Sequence, residues 1–182
     1  MSEKPTNHSI YDEENGCIFG SLIMGTDLME GIIQEYEKYN IQSGMVTCIG
    51  SLSRASYVYI QNDLDGLSYS KAIRKEGPIE ILNATGFLCD KGNGVTDFHL
   101  HGIFGDQKGS IFGGHILPGE NPTLITVEFN IQVGKGIEAV RTFKPQLGFQ
   151  TITFNQGGSG VGDIGTNLLE DFQHACKGTS YI

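Results

Sequence analysis

Alternating apolar and polar positions predict strands along most of the chain. The cleanest alternation covers residues 123–133, where one face carries Thr123, Ile125, Val127, Phe129, Ile131 and Val133 and the other face is mostly polar. A period of two is expected of a strand with one buried side. Apolar runs bounded by glycine or polar turns predict further strands at residues 17–24, 44–50, 54–60, 66–73, 77–89, 98–104, 111–117 and 147–154.

One segment has the period of a helix instead. Apolar residues recur at helical spacing from Leu28 to Tyr39, and Asp27 followed by Glu30 has the spacing of a capping box. The helix is expected to stop near Asn40, because asparagine tolerates the left-handed conformation found at helix ends.

The C-terminal region predicts a second, shorter helix. A glycine-rich connection follows residue 154, and residues 167–178 then show Asn167 and Glu170 at capping spacing with Gly178 as a stop. The predicted organisation is a polar leader (1–16), one domain (17–154), and the connection with its terminal helix (155–182). Strands outnumber helices without alternating with them, so the predicted class is α+β with a mainly antiparallel sheet, one main helix after the first strand and a C-terminal helix.

Charge and cysteine usage narrow the functional classes. The formal net charge is −9, which disfavours nucleic-acid binding through phosphate neutralisation. The four cysteines are isolated from one another, so neither a cysteine-rich zinc site nor a disulfide framework is predicted, and free thiols favour a cytoplasmic location. No apolar run is long enough to span a bilayer, and the N-terminus lacks the apolar region of a secretory signal.

The candidate chemistry lies in residues 97–116, which contain three of the five histidines. His99 and His101 are two apart, so on a strand they share a face. The segment between the two apolar runs has turn chemistry, and the runs are predicted to pair as a hairpin. With the turn centred near Gln107, His115 is expected opposite His99, close enough for the three imidazoles to share one ion.

Three neutral imidazoles at one point favour a divalent transition metal, zinc first, with a fourth position open to a small ligand. Asp97 and Asp106 are candidates to accept the second ring N–H of a ligand histidine. Gly113 and Gly114 permit a bulge before His115, and their backbone N–H groups are candidates to bind an anionic ligand. The alternative interpretation is three polar residues on the wet face of a sheet.

Several segments together resemble the PPC (plants-and-prokaryotes-conserved) domain family, in the order that the family shows. The resemblance covers about residues 17–154 and rests on "GTDLMEGI", "VTCIGSLSRASYVYI", "GPIEILNATG", "FHLHGIFGDQKGSIFGGHI" and "ITVEF". It implies an α+β domain that assembles as a homotrimer and, in prokaryotic members, a metal, commonly zinc, held by His99, His101 and His115. Bacterial members carry the label of predicted DNA-binding proteins. In plant members a separate Arg-Gly-Arg-Pro segment contacts DNA, and this sequence has none.

Three functions remain open from the sequence. The first is a metal-binding homotrimer that binds or processes a small ligand, with Glu80 as a candidate catalytic proton carrier; whether it is an enzyme stays undecided. The second is a DNA-associated or transcription-related regulatory module in which the metal is structural. The third is an assembly scaffold in which the histidines only hold strands together.

Overall fold

The structure, a computed structural model, describes residues 6–64 and 66–157. Within these ranges the chain forms one helix, α1 (Leu28–Glu37), and eleven strands. The strands are β1 (His8–Asp12), β2 (Cys17–Ile23), β3 (Gly44–Val58), β4 (Ile60–Asp63), β5 (Gly66–Tyr69), β6 (Ile73–Asp90), β7 (Thr96–Asp106), β8 (Ile111–Ile116), β9 (Thr123–Val133), β10 (Ile137–Lys144) and β11 (Phe149–Gln156).

Nine of these strands form one sheet in the order β1-β2-β9-β3-β8-β7-β6-β10-β11, and β4 and β5 form a separate hairpin. Neighbours pair antiparallel except β10 and β6, which meet in parallel at Val140 and Asp90. The long strand β3 pairs with β9, β6 and, at its end, β8. Because β6 also pairs with β7 and β7 with β8, these four strands close into a ring.

The predicted α+β class is wrong. The described residues are nearly all sheet, with α1 as their single helix. Part of the segment expected to be a polar leader forms β1, which pairs with β2, and β10 also appears where no strand was predicted. The predicted C-terminal helix at 167–178 lies outside the described residues.

Strands β3 and β6 are longer than the sequence suggested. Positions that were interpreted as strand ends are irregularities within continuous strands. Residues 44–50 and 54–60 were predicted as separate strands, but β3 runs from Gly44 to Val58 with register shifts near Cys48 and Leu52. Strand β6 continues through a similar shift between Ile81 and Asn83. A bulge bends a strand and preserves its pairing on either side, so short glycine and serine segments here do not break the sheet.

The helix α1 covers the inner face of the sheet and confirms its prediction. Asp27 caps it by accepting hydrogen bonds from the backbone N–H groups of Met29 and Glu30, and Asn40 has a φ of 51° just after its end. Its apolar side packs against the buried face of the sheet. The resulting core includes Leu28 and Ile32 from α1, and Val46, Leu100, Phe104, Val127 and Ile131 from the strands. No helix in the described ranges has the length and apolar character needed to cross a membrane.

The alternation in β9 is confirmed with one exception. Val127, Phe129, Ile131 and Val133 are buried, as is Thr123, but Ile125 is 65% exposed. The exception follows from a register shift between β3 and β9 close to this position, which breaks the period of two locally.

Candidate functional site

The hairpin predicted from the histidine-rich segment is present as β7 and β8. Its register pairs His101 with His115 and Gly102 with Gly114. His115 therefore lies opposite His101, not opposite His99 as the sequence suggested. A shift of two residues keeps a side chain on the same face, so the three histidines still share one side of the sheet.

The turn explains this difference in register. The backbone N–H of Asp106 donates to the carbonyl oxygen of Ser110 at 3.1 Å, so the turn is centred on Lys108 and not on Gln107. The Asp106 carboxylate accepts the N–H groups of Lys108 and Ser110, each at 2.9 Å, and Gly109 adopts a φ of 79°. Asp106 thus stabilises the turn and does not orient a histidine.

The three imidazoles converge. His99 Nε2 lies 3.1 Å from His101 Nε2, and His115 Nδ1 lies 3.3 Å from His101 Nε2. One ring nitrogen of each residue lies within 4.8 Å of the others. His101 is the common member of both short contacts and is exposed, whereas His99 and His115 are half-buried.

This spacing fits a shared metal ion. Nitrogens about 2.0–2.1 Å from one tetrahedral zinc ion are about 3.3 Å from each other. The two short nitrogen–nitrogen distances, 3.1 and 3.3 Å, are close to that value. The donor set consists of three imidazoles from two adjacent strands, which suits a borderline divalent metal better than a hard oxygen-seeking cation.

The surroundings keep the imidazoles neutral, which is the form that binds a metal. Burial lowers the pKa of His99 to about 4, and the positive charge of Arg141 and the other two imidazoles add to this effect. Burial also lowers the pKa of His115 to about 4, with further contributions from His101 and Arg141. The pKa of His101 is lowered by burial as well. A lone pair is therefore available on each ring at neutral pH.

Asp97 and Arg141 form an ion pair beside the histidines. Arg141 Nε donates to Asp97 Oδ2 at 2.8 Å, and both side chains are largely sheltered from solvent. Asp97 was predicted to accept a ring N–H, but its carboxylate accepts from Arg141 instead. Asp97 raises the pKa of both His99 and His115, whereas Arg141 lowers it. The two charges of the pair therefore partly offset each other's effect on the pKa of these histidines.

The two glycines before His115 allow neighbouring strands to approach closely. A Cβ on Gly113 would lie 2.0 Å from the carbonyl oxygen of Gly102 in β7, and a Cβ on Gly114 would lie 2.7 Å from the carbonyl oxygen of Val58 in β3. Close approach of β8 to both strands explains this glycine pair physically. The proposed hydrogen bonding of their N–H groups to an anionic ligand stays a prediction.

An open groove of about 530 Å³ lies directly beside His101. Its lining is partly polar, from Asn83 and Thr85, and partly apolar, from Ile103, Ile111 and Phe112, and three glycines also line it. The groove therefore has room for a small ligand with an apolar part next to the histidines.

Glu80 lies away from this cluster. It pairs with Gly105, four residues along β7 from His101, which at the rise of a strand corresponds to about 13 Å. Its side chain is exposed. The structure does not bring the predicted proton carrier to the histidines.

Sequence analysis missed an aromatic neighbour of the site. The ring of Tyr69, from the β4–β5 hairpin, lies 5.4 Å from that of His115 and 5.6 Å from that of Phe149 in β11. Both aromatic residues come from segments distant in sequence from the histidines, and no local motif marks either of them.

A family model described as the "Plants and Prokaryotes Conserved (PCC) domain" matches residues 13–134. This range includes all three histidines and the whole β7–β8 hairpin. No curated protein matches the chain.

Solved structures share the fold at low sequence identity. A protein of Bacteroides thetaiotaomicron, described as a "putative dna binding protein", is 21% identical with a TM-score of 0.69 over 80% of this chain and 97% of its own. A "metal-containing protein" of Archaeoglobus fulgidus is 21% identical, with a TM-score of 0.63 over 78% and 96%. A plant- and prokaryote-conserved (PPC) protein of Pyrococcus horikoshii is 19% identical, with a TM-score of 0.62 over 82% and 97%.

Proposed function

Because the chain belongs to the Plants and Prokaryotes Conserved (PCC) domain family, we propose that it is a cytoplasmic, homotrimeric, zinc-binding protein whose three-histidine site takes a small ligand. The observation that carries the proposal is the convergence of His99, His101 and His115, with ring nitrogens 3.1 and 3.3 Å apart. A metal is named in the description of the Archaeoglobus fulgidus protein, which supports the same chemistry here.

The three imidazoles leave room for a further metal ligand. When bound, a zinc ion held by three protein ligands supplies a Lewis acid with an open coordination position. The groove beside His101 provides the space next to that position, and its apolar residues Ile103 and Phe112 favour a ligand that pairs a polar head with an apolar part. Tyr69, which packs on His115, limits the orientations open to that ring.

Metal analysis tests this proposal directly. The full chain, purified without a histidine tag, is expected to retain about one zinc ion per subunit after dialysis, as three protein ligands define one site. Elemental analysis by mass spectrometry measures the ratio. A protein that stays metal-free after incubation with zinc, cobalt and nickel salts would contradict the proposal.

The homotrimer is supported by the outer face of the sheet. Direct pairing places Phe19, Asn130, Thr47, Thr85 and His101 in one row across five strands, so the histidines share a face with exposed apolar residues. Those residues are Phe19 (58% exposed), Met45 (41%), Ile49 (56%) and Ile103 (52%). Several large apolar side chains exposed on one face favour burial against other subunits.

Replacing Ile49 with aspartate is expected to dissociate the assembly, because a carboxylate without a partner is costly to bury in an interface. Light scattering after size exclusion should give about three times the chain mass of 19.8 kDa for the wild type and about one chain mass for Ile49→Asp. The matched control is Leu64→Asp, at the fully exposed tip of the β4–β5 hairpin, which should leave the mass unchanged. A wild-type protein with the mass of one chain would refute the trimer.

DNA association is favoured by the description of the Bacteroides thetaiotaomicron protein, but the charges of this chain do not support it. The cationic side chains of β3 and β6 that lie close together are already engaged by other groups. Arg74 forms two hydrogen bonds with the Glu120 carboxylate, and Arg54 donates to the Glu120 carbonyl oxygen. Lys75 lies over the ring of Phe112. With a net charge of −9, phosphate contacts have little electrostatic support. The small-ligand function is therefore the one we propose.

A further inference from the structure

Along β7, the three-histidine site has the groove at one end and a wall of other strands at the opposite end. The groove lies on the side of His101. The wall lies on the side of His99, whose direct partner Phe87 in β6 contacts Phe154 of β11 with ring centroids 5.3 Å apart. Strand β10 pairs with β11 and contributes a charged group to the wall.

That charged group is the guanidinium of Arg141. Its Nε donates to Asp97 Oδ2 at 2.8 Å, and its Nη1 donates to the carbonyl oxygen of Gln150 at 3.4 Å. Asp97 lies two residues before His99 on β7, so the two side chains share a face and Arg141 reaches the face that carries the histidines. A guanidinium has five N–H donors, and most of those of Arg141 therefore have no acceptor among the described residues.

One of these unused donors is accessible to a ligand. The Arg141 side chain is only 12% exposed, and its Nη2 forms no hydrogen bond within the described ranges. The fully buried side-chain atoms that lack a partner there do not include Nη2, so Nη2 keeps some accessible surface. Because Nε–H and one N–H of Nη2 point the same way from the planar guanidinium, this donor points towards β7, as the bond to Asp97 does. A sheltered guanidinium with a free donor is well suited to recognise a carboxylate.

The charge balance of the site also favours an anion. Three neutral imidazoles bring no negative charge to a divalent ion, in contrast to thiolate ligands, and the ion is often the largest local charge in such a site. The negative charge of Asp97 is already paired with Arg141. Arg141 lies close enough for its own charge to lower the pKa of both His99 and His115. The positive charge at the site therefore exceeds the negative charge that the protein supplies.

We propose that Arg141 is the anion-recognition residue of the three-histidine site and that the ligand of this site is a short-chain carboxylate. The carboxylate lies between the open metal position and Arg141 Nη2, and its alkyl chain extends past His101 into the groove. This inference rests on the proposed metal-binding function and adds the chemical class of the ligand. A hydrogen bond between two charged groups is roughly twice as strong as a neutral one, so charge decides the selectivity.

The test uses the full chain loaded with cobalt(II), because the visible absorption bands of this ion change when a ligand enters its coordination sphere. Titration with sodium butyrate at neutral pH and constant ionic strength is expected to change the bands saturably. Butyramide has the same chain and shape without the charge, and it should bind at least about tenfold more weakly. Absence of a saturable change with butyrate overturns the proposal, and so does equal affinity for butyramide.

Arg141→Lys tests the guanidinium separately from its charge. Lysine keeps a positive charge beside Asp97 but lacks the planar fork with a second donor, so butyrate binding should weaken about tenfold while cobalt affinity stays that of the wild type. The matched control is Arg74→Lys, because Arg74 is bound to Glu120 and does not line the groove; its butyrate affinity should not change. Wild-type butyrate affinity in Arg141→Lys would overturn the proposal, since Arg141 would then only join β10 to β7.

A double variant covers the case in which Arg141→Lys does not fold. Asp97→Asn combined with Arg141→Gln removes both charges of the ion pair, so no unpaired charge is left in the wall. It should bind cobalt and lose at least about tenfold in butyrate affinity. Undiminished butyrate affinity in the double variant would overturn the proposal as well.

The cobalt spectrum distinguishes failure of this inference from failure of the metal proposal. A protein that takes up no cobalt has no visible bands, and both proposals then fall. Cobalt bands that do not respond to butyrate leave the metal proposal intact and overturn only the carboxylate ligand.

Discussion

Substitution of His101 with alanine is expected to lower the affinity of the protein for zinc by more than about 100-fold, since removal of groups that merely orient metal ligands already costs about 10–100-fold. His101 Nε2 takes part in both short contacts of the cluster, at 3.1 Å with His99 and 3.3 Å with His115. Without it, two half-buried imidazoles remain with no third nitrogen between them. Competition with a chromophoric zinc chelator, on the full chain without a tag, measures this change.

The matched control is His8→Ala. His8 lies in β1, is exposed, and pairs with Ser21 at the far side of the sheet, so this variant also loses one imidazole but keeps the cluster. Its zinc affinity should equal that of the wild type. If His101→Ala kept full zinc affinity and lost only thermal stability, the histidines would serve to hold β7 and β8 together, which is the scaffold interpretation.

The shared face of the histidines could be predicted from sequence because it depends on the period of two within a strand. His99 and His101 lie two apart, and the turn signal between them and His115 brings the second strand back. The exact partner could not be predicted in the same way, because it depends on the turn. The Asp106 carboxylate and Gly109 centre the loop one position later than expected, which moves the partner of His115 by two residues and leaves its face unchanged.

The fold class could not be predicted because it depends on contacts between distant segments. Glycine and serine near Gly50 and Ser53 resemble a break in β3, yet hydrogen bonding to β6 and β9 on either side continues the strand past them. The strand β10 pairs with β11 along its whole length and with β6 at a single position. Local propensity carries no information on such pairing, so the extent of the sheet in the described residues was underestimated.

The neighbours of the histidines were missed for the same reason. Tyr69 reaches His115 from a separate hairpin, and Arg141 reaches Asp97 from β10. Both contacts arise when strands far apart in sequence become adjacent in space. The sequence identified the three histidines and their shared face, whereas Arg141, which lowers the pKa of both His99 and His115, is a tertiary feature.

Substitution of Gly113 with alanine is expected to lower the free energy of unfolding by about 3 kcal/mol, at the upper end of the range for overpacked sites. The added Cβ would lie 2.0 Å from the carbonyl oxygen of Gly102 and 3.1 Å from the Cα of Ile103. Both neighbours are backbone atoms of β7, so the strands themselves must separate. For a chain of this length, the loss corresponds to a melting temperature lower by roughly 6–12 °C, which differential scanning calorimetry measures.

Gly105→Ala is the matched control in the same hairpin. The atoms nearest to a Cβ there belong to the side chain of Leu82, at 3.5 Å or more, which is ordinary contact, so the free energy of unfolding should change by less than about 1 kcal/mol. Because Gly113 lies two residues before His115, separation of β7 and β8 in Gly113→Ala should also weaken zinc binding, and Gly105→Ala should retain it. A Gly113→Ala protein as stable as the Gly105→Ala protein would mean that β8 does not approach β7 as closely as the register requires, and the convergence of the three imidazoles would lose its structural basis.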